Sequence, residues 1–193
     1  YEFYNIFREK SNNIHAKRQQ KISHEYNINK EIVKFNSKIS LDAKIYNQLF
    51  NTEKKLISSN NYNTGSYYRF FPILGISLES PFKIPNYKYN LTISPALQVV
   101  MTPGSSNNNK LSNEDSTNNE YNIDNIYRLN RFSGNDKMDN SKRITFGLSA
   151  YKENFKTNLY QSYEFTNNSN FHKEQGNDNK LSDLLGSVEY FKK

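Results

Sequence analysis

An all-β fold is predicted: an antiparallel meander of about seven or eight long strands forming part of a transmembrane β-barrel. Three observations carry this reading. Apolar residues recur with a period of two rather than about 3.6. The alternating stretches are long: Glu31–Gln48 and Asn86–Pro103 each run 18 residues. At about 3.3 Å per residue each spans roughly 60 Å, and at a tilt of about 45° it rises roughly 40 Å, enough to cross a bilayer. Third, short and long connections alternate, which gives a sheet one rim of turns and one rim of loops, as in outer-membrane barrels. A soluble antiparallel sandwich, apolar on one face, is the alternative.

The elements follow from the pattern in chain order. Tyr1–Phe7 and Lys17–Ile28 read as weaker strands, with a tight turn at Asn27–Lys30. In Glu31–Gln48 one face reads Val33, Phe35, Ser37, Ile39, Leu41, Ala43, Ile45, and the other Lys34, Asn36, Lys38, Ser40, Asp42, Lys44. Asn51–Ser66 is too polar for a half-buried strand and reads as a long loop. Tyr68–Phe82 sets Phe70, Leu74, Ile76 and Leu78 against Arg69, Ser77 and Glu79. After a short link at Lys83–Asn86, Leu91, Ile93, Leu97 and Val99 alternate with Thr92, Ser94 and Gln98. Gly104–Asn140 is a very long connection. Ile144, Phe146, Leu148 and Ala150 then alternate with Arg143, Thr145 and Ser149. Lys152–Asn154 is short, Phe155–Thr166 a strand, Asn167–Lys180 a long Asn-rich loop, and Leu181–Phe191 a last strand. Pro72 and Pro95 fall inside strands, where each removes a ladder donor, so a bulge, a break or an edge is expected there.

Composition sharpens this. Of 193 residues 35% are hydrophobic, yet 15% are aromatic, with 31 Asn, 20 Lys, 15 Tyr and no Cys or Trp. So low an apolar content argues against a large conventional core, and so high an aromatic content argues against disorder. In a barrel wall only every second strand residue has to be apolar, because lipid takes the place of half the core. Tyrosine suits membrane interfaces, where one end of the ring is wet. No signal-peptide pattern or membrane-spanning helix is visible, the chain starts Tyr1-Glu2-Phe3, and it ends inside a strand pattern. The expectation is a fragment of a longer protein.

Little in the sequence supports catalysis. Without Cys there is no thiolate nucleophile or thiolate zinc site. His15, His24 and His172 are widely separated and read as surface residues. No phosphate-binding glycine loop or hydrolase motif occurs. The acidic run Glu114, Asp115, Glu120, Asp124, Asp136, Asp139 lacks the fixed glycine and closing glutamate of a calcium loop. The net charge of +7 does not imply nucleic-acid binding, because the basic residues are spread along strands rather than gathered in a patch. Lys34, Lys38, Lys44, Arg69, Lys88 and Arg143 take polar positions, which would face a barrel lumen.

The most specific signal lies in the long connection. It contains Asn113-Glu114-Asp115-Ser116, then Glu120 and Asp124, then Asn130-Arg131-Phe132-Ser133-Gly134-Asn135-Asp136, followed by Arg143-Ile144-Thr145-Phe146-Gly147-Leu148. These stretches, with Arg69-Phe70-Phe71-Pro72 and Ile93-Ser94-Pro95-Ala96-Leu97-Gln98 upstream, resemble the C-terminal barrel region of the LptD family of lipopolysaccharide-assembly proteins. The resemblance is best from about Tyr67 to Ala150. Lys137 stands where the family often has Arg, and the family's periplasmic domain and many barrel strands are missing. The resemblance implies that residues 1–193 belong to an outer-membrane barrel without cofactor. It further implies contact with outer-membrane lipids, an LptE-like plug lipoprotein and a periplasmic Lpt bridge, and release of lipopolysaccharide through a lateral opening into the outer leaflet of a Gram-negative cell. A porin or solute receptor is the runner-up. Opposed charges in Gly104–Asn140 lead to the expectation that it folds over or into the barrel mouth, pinned by arginine–carboxylate contacts.

Overall fold

The structure is a computed structural model that describes residues 1–85, 90–102, 107–116, 120–166 and 180–192. All its regular elements are strands: β1 (Glu2–Phe7), β2 (Arg18–Lys34), β3 (Ser37–Ser58), β4 (Asn61–Glu79), β5 (Phe82–Ile84), β6 (Leu91–Met101), β7 (Lys142–Lys152), β8 (Phe155–Glu164) and β9 (Leu185–Tyr190). They form one antiparallel sheet in the order β1-β2-β3-β4-β6-β7-β8-β9, with β5 pairing only β6, and the sheet does not close. Among the described residues the extensive contacts between strands are all between neighbours in this sheet. No second sheet of described residues lies on it, which removes the sandwich.

The two faces have inverted polarity. One carries Ile22, Leu49, Tyr68, Ile76, Leu97 and Phe146, all exposed. The other carries Gln19, Lys21, Gln48, Arg69, Gln98, Arg143, Thr145 and Asn158, all buried. Lys21, Gln48, Arg69, Gln98 and Arg143 bond to the β6–β7 connection, whose described residues lie across that face. A small apolar nucleus of Tyr46, Phe71, Ile73, Val100 and Met138, with Leu129 against it, joins sheet and connection.

Several boundaries differ from the sequence reading. The β2–β3 turn is Phe35–Asn36, both at positive φ (52° and 59°), not Asn27–Lys30, which runs straight through β2. Lys34 pairs with Ser37 and Ile32 with Ile39, so crossing the turn inverts the parity of the two faces. Val33 therefore shares the face of Lys38, not of Ile39. Lys34 falls on the apolar face at the rim, its Nζ 5.0 Å from the Phe35 ring centre, and not on the polar face. A bulky residue at φ > 0 is strained, whereas Asn and Gly suit this two-residue turn. Phe35→Asn is expected to raise stability by about 1 kcal/mol, read from urea unfolding in detergent; an unchanged or lower midpoint would show that Phe35 is held by something other than the turn.

Asn51–Ser66 is not a loop. β3 and β4 continue as paired strands to Ser59–Asn60, with register shifts at Thr52/Lys55 and Leu56/Ser58. Backbone pairing does not require apolar side chains, and this hairpin runs past the apolar rows of the sheet, where both faces are polar. One end of the sheet thus has the tight turns Phe35–Asn36 and Glu153–Asn154. The other has 8–17, the projecting hairpin, 102–141 and 165–184. The asymmetry between rims persists although one loop is strand.

The prolines mark interruptions. Pro72 lies just past the last pair between β4 and β6, Leu74↔Met101, where β4 has β3 as its strand neighbour. Pro95 lies between the β6 pairs with β4 and those with β5. Its carbonyl accepts from the Ser80 N–H at 3.1 Å, so its donorless nitrogen faces the Ser80–Pro81 gap, and no bulge is needed. Of the expected strand Asn86–Pro103, Leu91–Met101 is β6, and residues 86–89 and 103 lie outside the described residues. Of the expected Lys83–Asn86 link, Lys83 and Ile84 are strand residues of β5, paired with β6, whereas Asn86, Lys88, His172 and nearly all of Asn167–Lys180 lie outside the described residues.

Candidate functional site

The described residues of the connection, 107–116 and 120–141, are held to the polar face by two clusters of side chains. In the first, the two sequence motifs grip each other. Asn113 shapes the turn: its Oδ1 accepts from Ser116 N at 3.0 Å and its Nδ2 donates to Ser116 O at 2.5 Å. Asp115 then accepts from the backbone N–H groups of Asn135 (3.0 Å) and Asp136 (2.8 Å) and from the Ser116 hydroxyl (2.7 Å). Ser116 Oγ accepts from Lys137 N at 2.9 Å. Asp136 returns the contact, accepting from Glu114 N at 2.6 Å. Gly134 packs where a Cβ would stand 2.5 Å from the Asp115 carbonyl oxygen.

This clasp is fixed to the strands from below. Lys21 on β2, wholly buried, reaches Asp136 at 2.8 Å, Asp115 at 3.1 Å and Glu2 at 3.1 Å. The Tyr4 hydroxyl donates to Asp136 at 3.0 Å. Arg69 on β4 donates to the carbonyls of Asp136 (2.8 Å) and Asn135 (2.7 Å) and to Gln48 (2.7 Å). Glu114 takes Arg8 at 2.5 Å and His15 at 3.5 Å, tying the clasp to the β1–β2 connection. Burial works against ionised Asp115, but the Asn135 N–H, the Ser116 hydroxyl and Lys21 outweigh it and hold its pKa below the usual carboxylate value. Burial pushes Asp136 the other way, upward, against the pull of Lys21 and with the help of its neighbour Asp115. The acidic residues are thus committed to N–H donors and basic side chains.

The second cluster is a buried charge network. Arg131 meets Asp139 at 2.5 Å and 3.2 Å and Glu164 of β8 at 2.5 Å. Arg143 of β7 meets the same Asp139 at 3.1 Å and donates to the carbonyls of Arg128 (2.5 Å) and Leu129 (3.3 Å). The guanidinium of Arg131 stacks 4.7 Å from the Tyr121 ring centre, and the carboxylates outweigh burial to keep it firmly charged. Asn130 donates to Gly134 O at 3.2 Å and accepts from Asp139 N at 3.1 Å, linking this network to the clasp. Phe132 packs with Tyr121 and Leu185.

Not all of the residues singled out from sequence converge. The side chains of Glu120 and Asp124 are exposed, and these residues take part through their carbonyls, which accept from Asn125 (2.7 Å) and Arg128 (3.0 Å). Ser133 is exposed. Lys38 and Lys44 lie on the polar face but pair with Glu31 (2.6 Å) and Glu25 (2.9 Å), far along the sheet from the clasp. Lys21, Tyr4 and Glu164 were missed. Lys21 could have been found only by extending the face parity of Ile22 one residue back.

A wall of long antiparallel strands, polar where covered and apolar where open, with a connection clasped to its polar side, is the construction of a β-barrel. The family model of LptD, LPS transport system D, matches residues 2–190, nearly the whole chain, and the chain belongs to that family, which is one of transport proteins and not of enzymes. Nothing among the curated proteins matches it.

Proposed function

We propose that this chain is part of the C-terminal barrel domain of an outer-membrane lipopolysaccharide translocon and helps to deliver lipopolysaccharide into the outer leaflet. The observation that carries the reading is the inverted polarity of the sheet. A soluble sheet buries its apolar face and wets its polar one; here Arg69, Lys21 and Arg143 are buried while Ile76, Leu49 and Tyr68 are open. The apolar stretch also has the right height. From Ile39 to Leu49 on β3, a row interrupted by Asn47 alone, is ten steps, about 34 Å along the strand and, at a tilt of 35–45°, roughly 24–28 Å across, close to the ~25 Å lipid-facing band of outer-membrane barrels.

The translocon reading calls for no catalytic apparatus. An amphipathic glycolipid is moved, not chemically altered, so the wall needs a polar interior, an apolar exterior and control of its opening. The clasped connection supplies a closure on the interior side. An LptE-like plug lipoprotein and a periplasmic Lpt bridge are the partners that this role requires. Because the connection fills the polar face, the porin alternative gains no support.

The cheapest discriminating substitution is Leu74→Arg, because Leu74 is exposed and pairs with Ala43 near the middle of the apolar stretch. In lipid, an arginine near mid-band costs about 2–4 kcal/mol; at a water-exposed site the same change stays within about 0.5 kcal/mol. Leu74→Arg is therefore expected to lower folding stability in vesicles by the larger amount, and a near-neutral result would overturn the membrane reading. Because the chain has no Cys, single cysteines at Leu97 and Phe146 report unambiguously: they should resist aqueous thiol reagents and respond to lipid-borne quenchers.

A further inference from the structure

On the open face, the polarity changes in steps toward the loop end of the sheet. The row Phe3–Ile22–Leu49–Tyr68, paired across four strands, is apolar. Two residues further on, the row Asn5–Gln20–Asn51–Ser66 is polar, with Asn51 donating to Gln20 at 3.0 Å. Beyond it opens a recess of about 440 Å³ lined by Glu9, Lys10, Ser11, Lys17, Lys54 and Tyr62. Apolar, polar and then cationic, this is the sequence of environments that a phosphorylated glycolipid meets from acyl chains to headgroup.

The lysines are held there by backbone. Lys54 sits at φ 50° within the Thr52/Lys55 register shift. Its N–H donates to Thr64 Oγ1 at 3.0 Å, and its carbonyl accepts from Lys17 N at 3.4 Å. Arg8 N donates to Lys17 O at 2.7 Å, which closes the 8–17 connection and brings Lys10 to the same opening. Lys17 Nζ lies 5.6 Å from the Phe7 ring centre, and Phe7 alternates with Asn5 and Phe3 on the open face, so the cationic recess belongs to the lipid side of the wall. Three ammonium groups face one carboxylate, Glu9. Arg18, next in the chain, stands opposite Glu53 in the ladder and adds little net charge.

We propose that this recess binds a phosphate group on the headgroup of lipopolysaccharide as the lipid lies against the outer surface of the wall. The inference rests on the membrane placement proposed above. Ammonium groups on mobile stems suit a headgroup that must be held and then released, since each is worth only about 1 kcal/mol near a membrane surface.

The test uses the intact chain in detergent micelles, carrying a fluorophore at Ser11→Cys and titrated with bis-phosphorylated lipid A, dephosphorylated lipid A and inorganic phosphate. The phosphorylated lipid should bind more tightly than the dephosphorylated one. The triple variant Lys10→Gln/Lys17→Gln/Lys54→Gln should lose at least about tenfold in affinity for the phosphorylated lipid alone. Glu9→Gln should tighten binding, and Lys83→Gln, at the opposite end, should change nothing. Equal binding by the triple variant, which alters only surface side chains, would overturn the site. Lysine-dependent binding of inorganic phosphate that the phosphorylated lipid fails to displace would overturn the lipid as its occupant. Vesicle flotation separates the two levels: a chain that inserts yet ignores phosphate sinks the recess, whereas a chain that does not insert sinks the membrane placement itself.

Discussion

Asp139→Ala is expected to be among the most damaging single substitutions in this chain, costing about 3–5 kcal/mol. Its carboxylate is shared by two arginines, Arg131 at 2.5 Å and Arg143 at 3.1 Å, and all three side chains are fully buried. With Glu164 the network balances two positive against two negative charges. Removing Asp139 leaves Arg143 without its carboxylate and Arg131 with only Glu164. Two guanidiniums then repel each other where water cannot replace the lost partner. The loss is expected in two readouts: a lower unfolding midpoint in detergent, and faster proteolysis within 120–141 as the connection leaves β7 and β8. Asp139→Asn should recover part of the loss by keeping an acceptor without the charge. A midpoint within about 0.5 kcal/mol of the wild type for Asp139→Ala would show that the network does not hold the connection. Arg131→Met tests the same point from the other side. It should be costly alone and show a coupling energy with Asp139→Ala, since the two side chains are in direct contact.

Where the sheet is open on one side and covered by a packed loop on the other, the sequence was readable. Phe70, Leu74, Ile76 and Leu78 against Arg69 and Ser77, and Ile144, Phe146 and Leu148 against Arg143 and Thr145, alternate because two unlike environments select alternate residues. Legibility failed where that contrast disappears. Asn27, Asn29 and Lys30 look like a turn because they are polar, but they lie in β2 near the rim. The real turn was hidden because Phe35 is not a turn-forming residue, and because a two-residue turn exchanges faces, so that Val33 and Phe35 seemed to continue the row of Ile39. The hairpin beyond Asn51 is polar on both faces and gives no periodic signal, although its backbone pairs fully. For the connection, the motif spacing indicated which residues matter but not what they do. Asn113–Ser116 and Asn130–Asp136 bind each other, and nothing in their one-dimensional order says so. Lys21 lies 94 residues from Asp115, and Glu164 33 residues from Arg131. Such pairings belong to the topology of the sheet.

Gly134→Ala is expected to open the clasp, at a cost near the upper end of the ~1–3 kcal/mol range for forced overpacking. Glycine is needed here for space rather than for an unusual backbone angle. An added Cβ would stand 2.5 Å from the carbonyl oxygen of Asp115 and 2.6 Å from its carbonyl carbon, and would also press on its Oδ1. Backbone atoms cannot swing aside as a side-chain tip can. To relieve the contact, Asn113–Ser116 must move away from Asn130–Asp136, and the Asp115 bonds to the N–H groups of Asn135 and Asp136 lengthen together. Asp115 then loses the donors that offset its burial and hold its pKa low. The sign follows: a carboxylate with a depressed folded-state pKa contributes stability above its unfolded value and loses it as the pH falls through the folded one. The wild-type clasp should therefore retain the Asp115 contribution into the acid range, below the ordinary carboxylate pKa, whereas Gly134→Ala should give it up at higher pH. Gly65→Ala is the matched control, since its Cβ would meet only the Tyr67 hydroxyl at 3.1 Å, the movable end of a side chain, and should be nearly silent. Protease cleavage between 107 and 141, followed against pH for both variants, reads the clasp directly. If Gly134→Ala protects that segment as well as Gly65→Ala does, the two motifs are neighbours and not a closure.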